Sequence, residues 1–122
     1  MQRFTQLKVW QRGHALVLKI YAMTAGFPAV ERYGLISQVR RAALSVPTNI
    51  AEGSKRTGRQ EYSRFLNIAE GSLAETEYLV IVAQDLNYAA AAMLKPLFAE
   101  IADLARMLHA LRLSVEAGKS LN

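Results

Sequence analysis

Apolar residues recur along the chain at helical rather than strand spacing, and four segments carry the pattern. In the first, expected over residues 4–25, Leu7, Trp10, His14, Leu18 and Tyr21 fall on one face. A second stripe, Val9, Leu16, Ile20 and Phe27, lies well around the helix from it, with Lys8, Arg12 and Lys19 aligned between. Two apolar faces predict that one is buried in the bundle and the other meets a partner. The second helix is expected over residues 29–53, opening after Phe27-Pro28, with Leu35, Ile36, Val39, Ala42, Ala43, Val46 and Ile50 inward. Pro47 interrupts this pattern and predicts a kink near residues 43–47, with Gly53 as the stop.

The third helix, residues 58–86, opens on Thr57-Gly58-Arg59-Gln60, which reads as a Thr-x-x-Gln capping box. Tyr62, Phe65, Leu66, Ala69, Leu73, Thr76, Val80 and Ala83 share its face, widened by Ile68, Leu79, Val82 and Leu86. Gly71 and Ser72 in mid-helix predict the close approach of another helix. The fourth, residues 90–116, carries Leu94, Leu97, Ile101, Leu104, Leu108, Leu111 and Val115 in alternating steps of three and four, with Pro96 tolerable only near its start. Gly118 and the tail Lys119–Asn122 are expected to fray. Long helices joined by short connections pack as neighbours, so the fold class is all-α: an antiparallel up-down four-helix bundle in one domain spanning 1–122. The extra apolar stripes nominate an oligomer interface at Val9, Leu16, Ile20, Ile68, Leu79 and Val82.

Composition narrows the chemistry. With 52% apolar and 20% charged residues the chain is not of the disordered class. It has no cysteine, which excludes disulfides and thiolate chemistry and suits a reducing compartment. No apolar run reaches the roughly 18 residues of a membrane span, and Lys8, Arg12 and Lys19 break up any signal peptide, so no membrane association is expected and the location is cytoplasmic. His14 and His109 stand far apart, without carboxylates at metal-ligand spacing. Neither a nucleophile elbow nor a phosphate-binding glycine loop occurs. The expectation is a protein without catalytic residues, metal or cofactor.

Charge is the stronger signal. The net charge is +5, yet residues 1–64 hold eleven Lys and Arg against three acids, a net of +8, while residues 65–122 hold four against seven, a net of −3. Lys55, Arg56 and Arg59 crowd the connection into the third helix, Arg64 follows, and Arg40 and Arg41 sit on the second. With Lys8, Arg12 and Lys19 these nine are candidate phosphate contacts for RNA or DNA. The alternatives are a solvated surface with ordinary ion pairs, Arg40 pairing with Glu31 or Glu52, or a scaffold that binds an acidic protein partner such as a polymerase. One hexapeptide, Asn49-Ile50-Ala51-Glu52-Gly53-Ser54, recurs 18 residues later as Asn67-Ile68-Ala69-Glu70-Gly71-Ser72, which reads as a coincidence of small-residue packing.

Several stretches together carry a resemblance. They are Leu7-Lys8-Val9-Trp10, Phe27-Pro28-x-x-Glu31, Gly34-Leu35-x-x-Gln38-x-x-Arg41-Ala42-Ala43-x-Ser45-Val46-Pro47-x-Asn49-Ile50-Ala51-Glu52-Gly53 and Phe65-Leu66-x-x-Ala69-x-Gly71-Ser72-Leu73-x-Glu75. Over residues 4–113 the chain resembles the four-helix bundle proteins encoded in 23S rRNA intervening sequences, with the Ser45–Gly53 segment the most specific part. Only the alanine-rich, proline-containing start of the fourth helix looks individual. The resemblance implies a ring-like homopentamer without established enzymatic activity. It also implies similarity to the accessory variability determinant of diversity-generating retroelements, a basic bundle that binds nucleic acid and works with a reverse transcriptase. Carried onto this chain, the motif positions Gln38, Arg41, Ser45, Asn49 and Glu52 read as a structural polar network at a helix or subunit contact.

Overall fold

The computed structural model describes residues 3–118, and the tail expected to fray, Lys119–Asn122, lies outside them. Four helices make up the chain: α1 (Lys8–Thr24), α2 (Leu35–Ser54), α3 (Arg59–Asp85) and α4 (Ala91–Glu116). Single 3-10 turns at Phe4–Gln6 and Ala29–Glu31 precede the first two, and no strand occurs among the described residues. Each helix packs on its neighbours in the chain and α4 closes back on α1, whereas the backbones of the diagonal pairs α1/α3 and α2/α4 stay apart. The core runs down the middle of this square. All seven expected α4 seam residues, Leu94 through Val115, are buried in it, as is the Leu66, Ala69, Leu73, Val80 and Ala83 face of α3.

On α1 the structure inverts the expected division of labour. Val9, Leu16 and Ile20, nominated as an oligomer interface, are buried in the chain's own core. The stripe expected inside is the outer one: Leu18 is 58% exposed, Tyr21 and His14 face solvent, and Trp10 is half-buried. Gly13 lies on the buried Val9 face, where a Cβ would meet Val46 and Pro47 of α2 at 3.5–3.6 Å, an ordinary packing distance. Leu79 is likewise core, Val82 is half-buried against it, and only Ile68 of the nominated α3 positions is exposed.

Several local expectations are corrected. The first helix begins at Lys8, because Leu7 is extended (φ −73°, ψ 130°) and anchors its own side chain in the core. The second begins at Leu35, because Gly34 (φ −109°, ψ −111°) departs from helical geometry. Glu31 turns back there, its Oε1 accepting the Leu35 N–H at 3.0 Å, and a Cβ on Gly34 would stand 2.8 Å from that oxygen. The same carboxylate accepts the Tyr88 hydroxyl at 2.8 Å, and the Tyr88 ring packs on Phe27 at 5.4 Å. This clasp joins the α1–α2 and α3–α4 connections. α2 passes through Pro47 without a break.

Gly53 does not end α2, which runs to Ser54; it admits α3. A Cβ on it would stand 2.8 Å from Phe65 Cβ and 3.1 Å from Tyr62 Cδ1. Gly71, expected to serve a close approach, faces open space. The repeated hexapeptide is therefore used in two rotations: Ile50 is fully buried in one copy and Ile68 is 40% exposed in the other. The Thr57 capping box does not form, because the extended residue before α3 is Gly58 (φ −114°, ψ 149°), one position later. α3 ends on Asn87 in the left-handed region (φ 61°), with the Tyr88 N–H returning to Ala83 O at 3.0 Å in a Schellman closure. Gly118 (φ 78°) closes α4 in the same region, its N–H bonded to Val115 O.

Two predictions follow from this packing. Gly53→Ala costs about 1–2 kcal/mol net, since overpacking of about 1–3 kcal/mol outweighs the gain in helix propensity, whereas Gly71→Ala gains about 0.5–1 kcal/mol. Urea denaturation of the two variants reads both signs. The Leu35 N–H and then the Tyr88 hydroxyl hold the Glu31 carboxyl below its usual range, so the clasp stabilises the fold above the unfolded carboxyl pKa and is lost as pH falls through the folded one. Glu31→Gln lowers the melting temperature at neutral pH, and its gap to the wild type closes below about pH 4.

Candidate nucleic-acid interface

The α2–α3 connection is short and held by its own backbone: Lys55 and Arg56 N–H groups return to Glu52 and Gly53 carbonyls at 3.2 and 3.0 Å. Lys55, Arg56 and Arg59 project from it, all exposed. The Arg56 guanidinium lies 4.7 Å from the centre of the Phe65 ring, and Arg64 covers the same ring at 4.8 Å. Phe65 itself is buried, because Gly53 allows α3 to press against α2 at this point. Arg59 packs against Gly118, which brings the C-terminal end of α4 to the same end of the bundle. None of Lys55, Arg56 and Arg59 pairs with a carboxylate among the described residues. The first turn of α3 has no side-chain cap and carries Glu61, near enough to Arg56 for the two charges to interact.

The other candidate cations are placed differently. Arg64 is spent on Glu61, Nε to Oε1 at 2.9 Å and Nη2 to Oε2 at 3.3 Å, which lowers the Glu61 pKa and raises that of Arg64. Arg12 pairs with Asp103 at 3.5 Å and Lys19 with Glu100, so much of the basic stripe on α1 is consumed in the α1–α4 seam. Lys8 is exposed at the start of α1. Arg40 pairs with neither Glu31 nor Glu52: it donates to Thr24 Oγ1 at 2.8 Å and Tyr21 O at 3.3 Å and lies over the Tyr21 ring. Arg41 is exposed on α2, but at about 1.5 Å per residue it stands about 21 Å along the axis from Lys55, too far to share one phosphate cluster. The nine candidates reduce to a core of three at one end.

The segment that leads into this loop, Ser45 to Gly53, lies in the middle of the match that decides the family. The family model of the 23S rRNA-intervening sequence protein matches residues 5–110. The chain belongs to that family. The match takes in α1, α2, α3 and most of α4, including the basic connection. No curated protein matches the chain.

Within the family segment, the structure brings together only part of the expected network. Ser45 Oγ and Ser72 Oγ are 2.8 Å apart across α2 and α3, and Asn49 Nδ2 donates to Ser45 Oγ at 2.9 Å and to Ser45 O at 2.7 Å. Gln38, Arg41 and Glu52 are exposed and their side chains do not join it. Ser72 was legible only as a small residue in mid-helix.

A second polar cluster escaped sequence reasoning. Arg112 is held by Glu70 and by Glu116 at 3.0 Å, Ser63 Oγ donates to Glu116 Oε2 at 2.6 Å, and His109 Nδ1 stands 3.3 Å from Glu70. The Ser63 hydroxyl, then Arg112, lowers the Glu116 pKa. The spacing of His109, Arg112 and Glu116 on one helix face was its only trace. It ties α3 to α4 beside the basic loop and leaves no cation free there. Ser45→Ala and Ser72→Ala are each expected to cost about 0.5–1.5 kcal/mol, with the double variant costing less than their sum; additivity in a double-mutant cycle contradicts the hydroxyl contact.

Proposed function

We propose that this chain is a non-enzymatic helical bundle that works in the cytoplasm as a ring-like homopentamer and binds RNA or another nucleic acid through the α2–α3 connection. The observation that carries the reading is the contrast among the cations. Arg12, Lys19 and Arg64 are matched by carboxylates, while Lys55, Arg56 and Arg59 are exposed together without one. Unmatched Arg on a rigid support suits phosphate, because the guanidinium fork keeps its donors outward while the Phe65 ring holds the Arg56 face. Binding of this kind reads backbone charge rather than sequence. Five copies of a chain of net charge +5 would multiply each loop's weak attraction.

An antiparallel up-down order belongs to the same reading. Side-chain registers support it: Arg12 meets Asp103 while Lys19 meets Glu100, and Ser63 meets Glu116 while Glu70 meets Arg112. In that order the α2–α3 connection, the start of α1 and the end of α4 share one end of each bundle, where a ring would gather them on one rim.

A second reading, a protein-interaction scaffold for a polymerase or reverse transcriptase, is favoured by Val30 and Tyr33, 86% and 87% exposed beside the start of α2. It predicts partner capture that survives nuclease treatment. The Arg56→Glu/Arg59→Glu double variant separates the two. The nucleic-acid reading expects unchanged helicity and mass, at least about tenfold weaker RNA binding, and a log–log salt slope shallower by about 2. Unchanged affinity in a fluorescence-anisotropy titration removes the loop as the site.

A further inference from the structure

Two groups of exposed apolar side chains lie beside an unpaired charge. One group lies on the outward face of α1: Leu18 and Tyr21 are exposed, with His14 stacked on the half-buried Trp10 at 5.1 Å, nearly parallel. Arg40 from α2 lies 4.4 Å over the Tyr21 ring and has no carboxylate partner, so this face is apolar with a positive edge. Another lies on the outward face of α3, where Ile68 and Tyr78, the latter 63% exposed, flank Glu75. Glu75 forms no ion pair among the described residues, and Gly71 between them adds no side chain to this surface. This face is apolar with a negative charge.

α1 and α3 are diagonal in the bundle, so these two outward faces point to opposite sides of the molecule. We propose that the α1 face (Trp10, His14, Leu18, Tyr21, with Arg40) of one copy docks on the α3 face (Ile68, Glu75, Tyr78) of the next, head to tail. Charge complementarity selects this occupant. Either face against itself would oppose Arg40 to Arg40 or Glu75 to Glu75, whereas α1 against α3 brings Arg40 and His14 to Glu75. A contact between two different patches on opposite sides propagates, and closes into a ring when the rotation permits. The inference rests on the self-assembly in the proposed function and names the surfaces that would build it. It also replaces the Val9, Leu16 and Ile20 stripe, which the core has consumed.

Leu18→Glu sets like charge against Glu75, and Tyr78→Arg sets like charge against Arg40. Light scattering on the wild type, each variant and their equimolar mixture tests the geometry, with circular dichroism reporting the fold. The expected result is an oligomeric wild type, two monomeric, fully helical variants, and a mixture that re-associates, because the intact α3 face of one variant meets the intact α1 face of the other. The milder Leu18→Ala and Tyr78→Ala each weaken assembly by about tenfold or more. Should either charged variant keep the wild-type mass, or the mixture stay monomeric, the head-to-tail pairing is overturned and only assembly through other surfaces is left. A monomeric wild type overturns both, leaving phosphate binding by the single chain to the salt titration.

Discussion

The close approach of α2 and α3 is the constraint on which the rest of the structure depends. Gly53 removes the side chain where Phe65 and Tyr62 arrive, and the Ser45–Ser72 hydroxyl pair holds the helices together further along. A larger residue at 53 would push Phe65 outward and loosen the connection that Gly53 and Phe65 frame. Phe65 is at once a core residue and the platform beneath Arg56, so packing and surface charge are set by one contact. The backbone bonds of Lys55 and Arg56 then keep the loop short. A short loop held by its own backbone bonds would lose little entropy on meeting phosphate.

Charge balance is resolved by the fold rather than by composition. The N-terminal half is strongly basic and the C-terminal half acidic, and folding lays α1 along α4 so that Asp103 and Glu100 meet Arg12 and Lys19. Exposed pairs of this kind contribute little stability, typically below about 1 kcal/mol each, but they quench the field locally. Lys55, Arg56 and Arg59 at the α2–α3 connection form no ion pair among the described residues. At the opposite end, the Glu31 carboxylate is occupied by the Leu35 N–H and the Tyr88 hydroxyl.

The helices and the α4 seam were legible because a heptad of leucines has one reading. Residues 29–34 were not, since an apolar pattern does not reveal that Gly34 leaves helical geometry or that Glu31 turns back as a cap. The two faces of α1 were indistinguishable by hydrophobicity, so the pattern alone did not show that Val9, Leu16 and Ile20 go inward. The two copies of the repeated hexapeptide are identical in sequence, yet only Gly53 meets another helix, because burial depends on rotation about the helix axis and not on the hexapeptide. The basic loop was visible as charge, but that Arg12 and Lys19 are matched required the positions of Asp103 and Glu100 on a distant part of the chain.

The central claim is that the unmatched cations of the α2–α3 connection bind phosphate. The most direct test is the salt dependence of affinity for structured RNA, duplex DNA and single strands, measured by anisotropy on wild-type protein of known mass. The account predicts binding at low salt to more than one of these ligands, with log affinity falling linearly and steeply against log salt concentration as counterions are released. No binding at low salt, or an affinity indifferent to salt, contradicts it.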